Sequence, residues 1–150
     1  MSELFAFESD FVASLRCIPM AVRFKLDRAG IKLSLRQWSR FRREDRQTLL
    51  DTPCITDAEA RTYRGLLELL VLARAGEPAA PLIEPPPEDW REAVVPDQVR
   101  SFAACLGVAP PADDTWASLP ELRRFVLVKL SRDNHDNVNF VPAMREFGLI

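Results

Sequence analysis

The sequence has few of the residues that most often carry enzyme chemistry. Its 150 residues include one histidine, five glycines and three cysteines. The glycines form no phosphate-binding loop, because none of them stands at the spacing that such loops require. Cys17, Cys54 and Cys105 form no C-x-x-C pair, so the sequence predicts neither a zinc ribbon nor a disulfide framework. We therefore expect no metal and no cofactor.

Long hydrophobic runs are also missing. The longest apolar stretch, residues 65–75, is interrupted by Glu68 and Arg74 and is too short to span a membrane. The first ten residues are acidic, and no basic segment precedes an apolar run, which argues against a secretory signal. We therefore expect a cytoplasmic protein with no membrane partner.

Charge is distributed unevenly along the chain. The net charge is −2, yet residues 1–50 hold ten Lys and Arg against six Asp and Glu. The basic residues concentrate in the stretch 36–46, where they alternate with aromatic residues. An acidic chain is a poor nucleic-acid binder, so no nucleic-acid partner is expected. The stretch is either a solvated helix face or a dock for an acidic protein. The residues that we expect to bind a partner are Arg36, Trp38, Arg40 and Arg43.

Helix start and stop signals recur through the first half of the chain. A helix is expected to have Pro19 in its first turn and to end at Gly30. Ser34-x-x-Gln37 and Thr56-x-x-Glu59 are capping-box patterns, each of which predicts a helix start. The second of these helices is expected to end at Gly76. A third capping box is predicted at Ser118-x-x-Glu121 in the second half of the chain.

Proline dominates the middle of the chain. Six of the twelve prolines fall between residues 77 and 96. Such a composition favours an extended, stiff segment over a helix. The sequence therefore predicts a proline-rich connector over 77–95.

The segments on either side of this connector are similar to each other. With Pro19 aligned on Pro96 and one residue inserted before Trp116, seven of the 31 positions from Pro19 to Leu49 are identical, where chance predicts about two. The identities fall on helix boundaries and on apolar faces, where structure constrains the residue. The identical pairs are Pro19/Pro96, Val22/Val99, Arg23/Arg100, Gly30/Gly107, Trp38/Trp116, Arg46/Arg124 and Leu49/Leu127.

We interpret this similarity as an internal duplication. Copy one covers about 8–76 and copy two about 96–150, together forming a single helical domain over 1–150. Each copy has an apolar face too large to bury alone, so the copies are expected to pack about a pseudo-two-fold axis. The predicted fold class is all-α.

A second candidate site is the polar stretch 131–139, which contains the only histidine. His135 with a neighbouring carboxylate has the composition of a general base, although a helix connection needs the same residue types. We group His135 and Arg132 with Arg23 and Arg100, the arginines that both copies share, as a possible polar site. A small enzyme or ligand-binding protein is the corresponding alternative function. A further alternative is a thiol-based sensor that uses Cys17 and Cys54.

Three stretches of the chain resemble a known protein family. They are "FESDFVASLRCIPMAVRFKLDRAGIKL", "RREDRQTLLDTPC" and the tail "LVKLSRDNHDNVNFVPAMREFG". They resemble the conserved nitrate reductase-associated proteins, which are small bacterial proteins known mainly from cyanobacteria. The resemblance covers nearly the full chain and is weakest across the proline-rich segment. The family has no agreed catalytic residues, so none is carried over.

The resemblance implies a link to assimilatory nitrate reduction, because the family is named for genes beside those of nitrate reductase and molybdopterin synthesis. Together with the missing catalytic motifs, it leads us to expect an accessory protein that is not an enzyme. The expected partner is nitrate reductase or a protein of molybdenum-cofactor maturation. The sequence does not determine the oligomeric state.

Overall fold

The structure, a computed structural model, describes residues 4–9, 15–132 and 137–150. Almost all regular structure in this part of the chain is helical, which confirms the predicted all-α class. The only strands among these residues are β1 (Ile31–Lys32) and β2 (Ala80–Pro81), which pair antiparallel. No helix in the described ranges is long and apolar enough to cross a membrane.

The described residues fall into two compact units. Unit 1 consists of Leu4 and Glu8–Pro86, and unit 2 consists of Phe5–Phe7 and Pro87–Ile150.

The described residues of unit 1 form four α-helices of six residues or more. These are α1 (Met20–Ala29), α2 (Leu35–Arg40), α3 (Arg43–Asp51) and α4 (Asp57–Ala75). The predicted boundaries are largely confirmed, since capping boxes start α2 and α4, and Gly30 and Gly76 end α1 and α4 in the left-handed conformation. Pro19 lies one residue before α1 and not in its first turn. The core is closed by α1 against α4, and its buried residues include Val22, Leu26, Trp38, Leu49, Tyr63, Leu67 and Val71.

The part of unit 2 that the structure describes also forms four α-helices. These are α5 (Asp97–Cys105), α6 (Asp113–Ser118), α7 (Glu121–Arg132) and α8 (Phe140–Glu146), with a 3₁₀ turn at Asp89–Arg91. Helix α7 contacts α5, α8 and this turn. The buried residues include Trp90, Val99, Trp116, Val126, Leu127, Leu130, Phe140 and Met144.

The capping box predicted at Ser118 and Glu121 is wrong. Ser118 is the last residue of α6, and its hydroxyl donates to the carbonyl of Thr115 over 2.7 Å. Pro120 occupies the position before α7 instead, and its carbonyl accepts from the amide of Arg124 at 3.2 Å. The reason is that Leu119, which precedes a proline, is pushed into the extended conformation and separates the two helices.

The proline-rich segment contains more local structure than an extended spacer. Strand β2 lies within it and pairs Pro81 with Ile31. The 3₁₀ turn at Asp89–Arg91 buries Trp90, whose ring meets Phe125 edge to face at 6.4 Å between centroids. Trp90 therefore belongs to the packed core, whereas both residues of β2 are exposed. Whether the segment acts as a connector stays a prediction.

Candidate functional site

Three of the four predicted partner-binding residues lie on the surface of unit 1. The guanidinium groups of Arg36, Arg40 and Arg43 are exposed along α2 and at the start of α3. Arg36 pairs with Glu77. Arg40 and Arg43 make no ion pair or side-chain hydrogen bond with any residue that the structure describes, and Arg43 borders a shallow cleft of 730 Å³ beside α3. This short stretch therefore presents positive charge directly to solvent.

The fourth predicted residue, Trp38, does not belong to this surface. Its side chain is fully buried, and its Nε1 donates to the carbonyl of Leu15 at 2.8 Å. The ring meets Phe41 edge to face, with 6.1 Å between centroids. Trp38 is therefore a core residue, and we define the arginine surface as Arg36, Arg40 and Arg43 alone.

Arg46, one of the arginines near Trp38 in the sequence, makes hydrogen bonds to the backbone around this buried ring. Its Nε donates to the carbonyl of Trp38 at 3.1 Å, and its Nη1 donates to that of Leu15 at 3.2 Å. Its guanidinium also lies 5.8 Å from the centre of the Trp38 ring. Arg46 ties α3 to the residues around Trp38, so it has a structural role that the exposed arginines do not share.

A backbone hydrogen bond and an ion pair, both to Asp45, hold the start of α3 next to the arginine surface. The amide of Arg42 donates to Asp45 Oδ2 at 2.9 Å, and Arg74 Nε from α4 donates to the same oxygen at 2.8 Å. The hydrogen bond from Arg74 holds the pKa of Asp45 below its usual range. Helix α3, and with it Arg43, is thereby anchored to the longest helix of the unit.

Arg23 and Arg100 have the same local role in their respective units. Arg23 Nε donates to the carbonyl of Ile18 at 3.3 Å, and Arg100 Nε donates to that of Val95 at 3.2 Å. In both cases the acceptor lies five residues earlier, in the chain that leads into the helix. Arg100 also donates from Nη2 to Asp113 Oδ1 at 2.6 Å. Both arginines therefore fasten a helix to its preceding segment.

Arg132 is paired within unit 2. Its Nε donates to Gln98 Oε1 at 3.0 Å, and its Nη2 donates to Asp89 Oδ2 at 2.6 Å. Asp89, Glu92, Asp97 and Arg100 lie around one shallow cleft of 540 Å³, so its lining is predominantly acidic. His135 lies outside the described residues. The contacts of Arg132 and Arg100 thus consist of carboxylates, an amide oxygen and a backbone carbonyl.

The cysteines differ in accessibility. Cys54 is buried, whereas Cys17 is half-buried and Cys105 is exposed, and all three are free thiols. Burial raises the pKa of the Cys54 thiol, and a raised pKa disfavours the thiolate that redox chemistry needs. Among the described residues, no cluster of three or more His, Cys, Asp or Glu side chains is placed to hold a metal ion.

Lys25 is a half-buried charged residue that the sequence patterns did not single out. Its Nζ donates to the carbonyls of Leu50 and Thr52 at 2.6 and 2.7 Å, at the end of α3. Burial lowers the pKa of this ammonium group. Tyr63, whose ring centre is 5.9 Å from Nζ, donates its hydroxyl to the carbonyl of Leu49 at 2.8 Å. Both side chains cap free carbonyls of α3, which explains their position without a catalytic role.

Comparison with known proteins identifies one family. No curated protein and no solved structure matches the chain. Residues 4–147 match the family described as conserved nitrate reductase-associated protein. Because the match covers nearly the whole chain, this protein belongs to the conserved nitrate reductase-associated family.

Proposed function

We propose that this protein is a non-enzymatic accessory protein that binds nitrate reductase or a protein of molybdenum-cofactor maturation. Membership of the nitrate reductase-associated family supports the choice of partner. The observation that carries the proposal is the arginine surface, on which Arg40 and Arg43 have no ion partner within the described residues. Unpaired surface charge of one sign favours association with a surface of the opposite sign. We therefore expect the partner to present an acidic patch.

We also propose that the chain arose by internal duplication. Contacts around equivalent residues support this. Trp38 Nε1 donates to Leu15, and Trp116 Nε1 donates to the carbonyl of Glu92, 77 residues later, at 3.1 Å. Arg23 and Arg100 each donate to the carbonyl five residues earlier. Glu92 and Val95, which accept two of these hydrogen bonds, lie before the predicted start of copy two at residue 96.

Comparison of the proposed copies indicates that the arginine surface is not required by the fold. In the alignment of the two copies, Arg36 corresponds to Asp114, Arg40 to Ser118 and Arg43 to Glu121. Helices α2 and α6 are both six residues long, and each ends before an extended residue. Equivalent positions on and just after these two helices therefore hold basic residues in copy one and acidic or neutral residues in copy two. We attribute the difference to partner binding by copy one.

Co-purification from cells that express both proteins tests the proposed function. The tagged chain is expected to enrich nitrate reductase or a maturation protein. The Arg40→Glu/Arg43→Glu double variant is expected to weaken the contact at least about tenfold, and more at low salt, because surface charges are screened beyond roughly 10 Å at 0.1 M.

The control reverses two exposed arginines elsewhere, Arg16→Glu/Arg145→Glu, and makes the same change in net charge. Enrichment of neither nitrate reductase nor a maturation protein by the unmodified chain refutes the proposal. Equal weakening by the two double variants refutes the assignment to the arginine surface.

The duplication is tested by matched substitutions of the two tryptophans. Trp38→Phe and Trp116→Phe each remove one indole hydrogen bond, worth about 1 kcal/mol, and part of a buried ring. If both rings have the same role, the two losses of unfolding free energy agree within about 1 kcal/mol. A near-neutral effect at one site contradicts this. Packing about a pseudo-two-fold axis and a cytoplasmic location stay predictions from the sequence.

A further inference from the structure

A small basic pocket lies in unit 1, apart from the arginine surface. It has a volume of 290 Å³ and lies where the end of α1 meets the first turns of α4. Its lining contains three guanidinium groups and one carboxylate, together with two alanines. The lining residues are Arg28, Ala29, Asp57, Ala60, Arg61 and Arg64.

Arg28 is held rigidly at this pocket. Its Nε donates to the carbonyl of Cys54 at 2.7 Å, and its Nη2 donates to that of Ile55 at 2.6 Å. Only 11% of its side chain is exposed. The loop before α4 therefore fixes the guanidinium at the edge of the pocket.

Arg64 is fixed from the opposite side of the pocket. Its Nη1 donates to the carbonyl of Ala29 at 3.1 Å, at the end of α1. Gly30 permits this approach, because a Cβ atom at that position would stand 3.1 Å from the same nitrogen. Glu68 lies 3.7 Å from Arg64 Nε on the exposed side of α4. Arg64 Nη2 makes no hydrogen bond or ion pair in the part of the chain that the structure describes.

Arg61 and Asp57 complete the charge of the pocket. Arg61 is exposed and makes no ion pair or side-chain hydrogen bond with the described residues. Asp57 is 96% exposed and lies 4.0 Å from Arg28 Nη2, which is at the limit of an ion pair. Asp57 and the neighbouring Glu68 oppose the three guanidinium groups, which leaves one positive charge in excess. Two of the three groups are already immobilised, so a ligand does not have to order them.

We propose that this pocket binds a small oxyanion of the phosphate class. The planar fork of a guanidinium matches the oxygens of phosphate, and the excess of positive charge favours an anion. The volume suits inorganic phosphate or the phosphate group of a small ester, since ordinary ligand pockets start at about 300 Å³. This site goes beyond the proposed partner binding, because none of its residues belongs to the arginine surface.

Titration of the full chain with sodium phosphate at constant ionic strength, followed by amide NMR shifts, tests the site. The amides of Ala29 and Ala60 are expected to shift and saturate. Arg61→Gln is expected to weaken binding about tenfold, the loss of one charge-assisted hydrogen bond. Asp57→Asn removes the opposing carboxylate and is expected to tighten binding about threefold. Arg145→Gln, at an exposed arginine outside both the pocket and the arginine surface, is the control and is expected to leave binding unchanged.

Two outcomes overturn the proposal. The first is the absence of saturable shifts at the pocket, and the second is equal weakening by Arg61→Gln and Arg145→Gln, which indicates diffuse surface charge. A parallel titration with glycerol phosphate separates the two sources of the ligand. Tighter binding of the ester indicates a phosphate monoester, and tighter binding of the inorganic ion indicates free phosphate. The spectra also report whether each variant is folded. Because Asp57→Asn is expected to raise the phosphate affinity that Arg61→Gln lowers, a general loss of structure cannot produce both results.

Discussion

Replacing Asp45 is expected to destabilise the protein substantially, because its one carboxylate makes two separate stabilising contacts. This carboxylate accepts from the amide at the start of α3 and from Arg74 of α4. Only 12% of the Asp45 side chain is exposed, so solvent screens the pair weakly. A helix cap contributes about 1 kcal/mol, and a hydrogen bond to a charged group about 1.5–3 kcal/mol. Asp45→Ala therefore lowers the free energy of unfolding by roughly 2–4 kcal/mol.

Asp45→Asn separates the two contributions. The amide oxygen of asparagine still accepts one hydrogen bond, whereas the charge that binds Arg74 is lost. The expected destabilisation at pH 7 is about 1–2 kcal/mol. Urea unfolding followed by tryptophan fluorescence measures it. Glu68→Gln is the control, because it removes the exposed Arg64–Glu68 pair, with side chains 42% and 56% exposed, and is expected to change stability by less than about 0.5 kcal/mol.

The effect of Asp45→Asn depends on pH in a defined direction. Arg74 lowers the pKa of Asp45 in the folded state, so the stabilisation is fully present above the unfolded-state pKa of about 4. It is lost as the pH falls through the lower folded-state pKa. The difference between the unmodified protein and Asp45→Asn should therefore be constant from pH 7 to about 5 and shrink below about 4. Equal stability at pH 7, or a difference that persists unchanged to pH 2, refutes this account.

Two further predictions use matched pairs of residues. Gly30 and Gly107 both have a φ of 73°, so each Gly→Ala change costs about 1 kcal/mol of backbone strain. Gly30→Ala should cost more in urea unfolding because its Cβ also displaces Arg64, and a larger cost for Gly107→Ala contradicts this. For the thiols, Cys105 should react with Ellman's reagent in the folded protein, whereas Cys54 should react only after denaturation. Equal rates for the two thiols would contradict the burial and raised pKa of Cys54.

Helix boundaries were predictable where the signal is local. Ser34 with Gln37 and Thr56 with Glu59 form the expected capping boxes, because both partners lie within one helical turn. The same pattern failed at Ser118, where the proline two residues later decides where the next helix starts. A capping pattern is therefore reliable only when no proline lies between its two members.

The candidate sites were harder to predict because folding assembles them from distant positions. Trp38 lies between arginines in the sequence, yet a tertiary hydrogen bond to Leu15 holds it in the core. Arg28 and Arg64 stand 36 residues apart, and only the packing of α1 against α4 brings them to one pocket. Neither residue has a neighbour in sequence that reveals its role. The composition of residues 36–46 therefore predicted that the arginines are exposed. It wrongly placed the buried ring of Trp38 on the same surface.

The proposed duplication gives a way to separate structural arginines from functional ones in a single sequence. Arg23 and Arg46 have arginines as counterparts in copy two, and both donate to backbone carbonyls of their own unit. Arg43 corresponds to Glu121, and Arg28 corresponds to Cys105. The equivalent helices of copy two thus form with an acidic residue or an uncharged residue at these positions. By this comparison the fold requires Arg23 and Arg46, whereas Arg43 is exposed and available to a partner. Arg28 combines both roles, since it donates to two backbone carbonyls and also lines the basic pocket. Partner binding should therefore first be sought at Arg43.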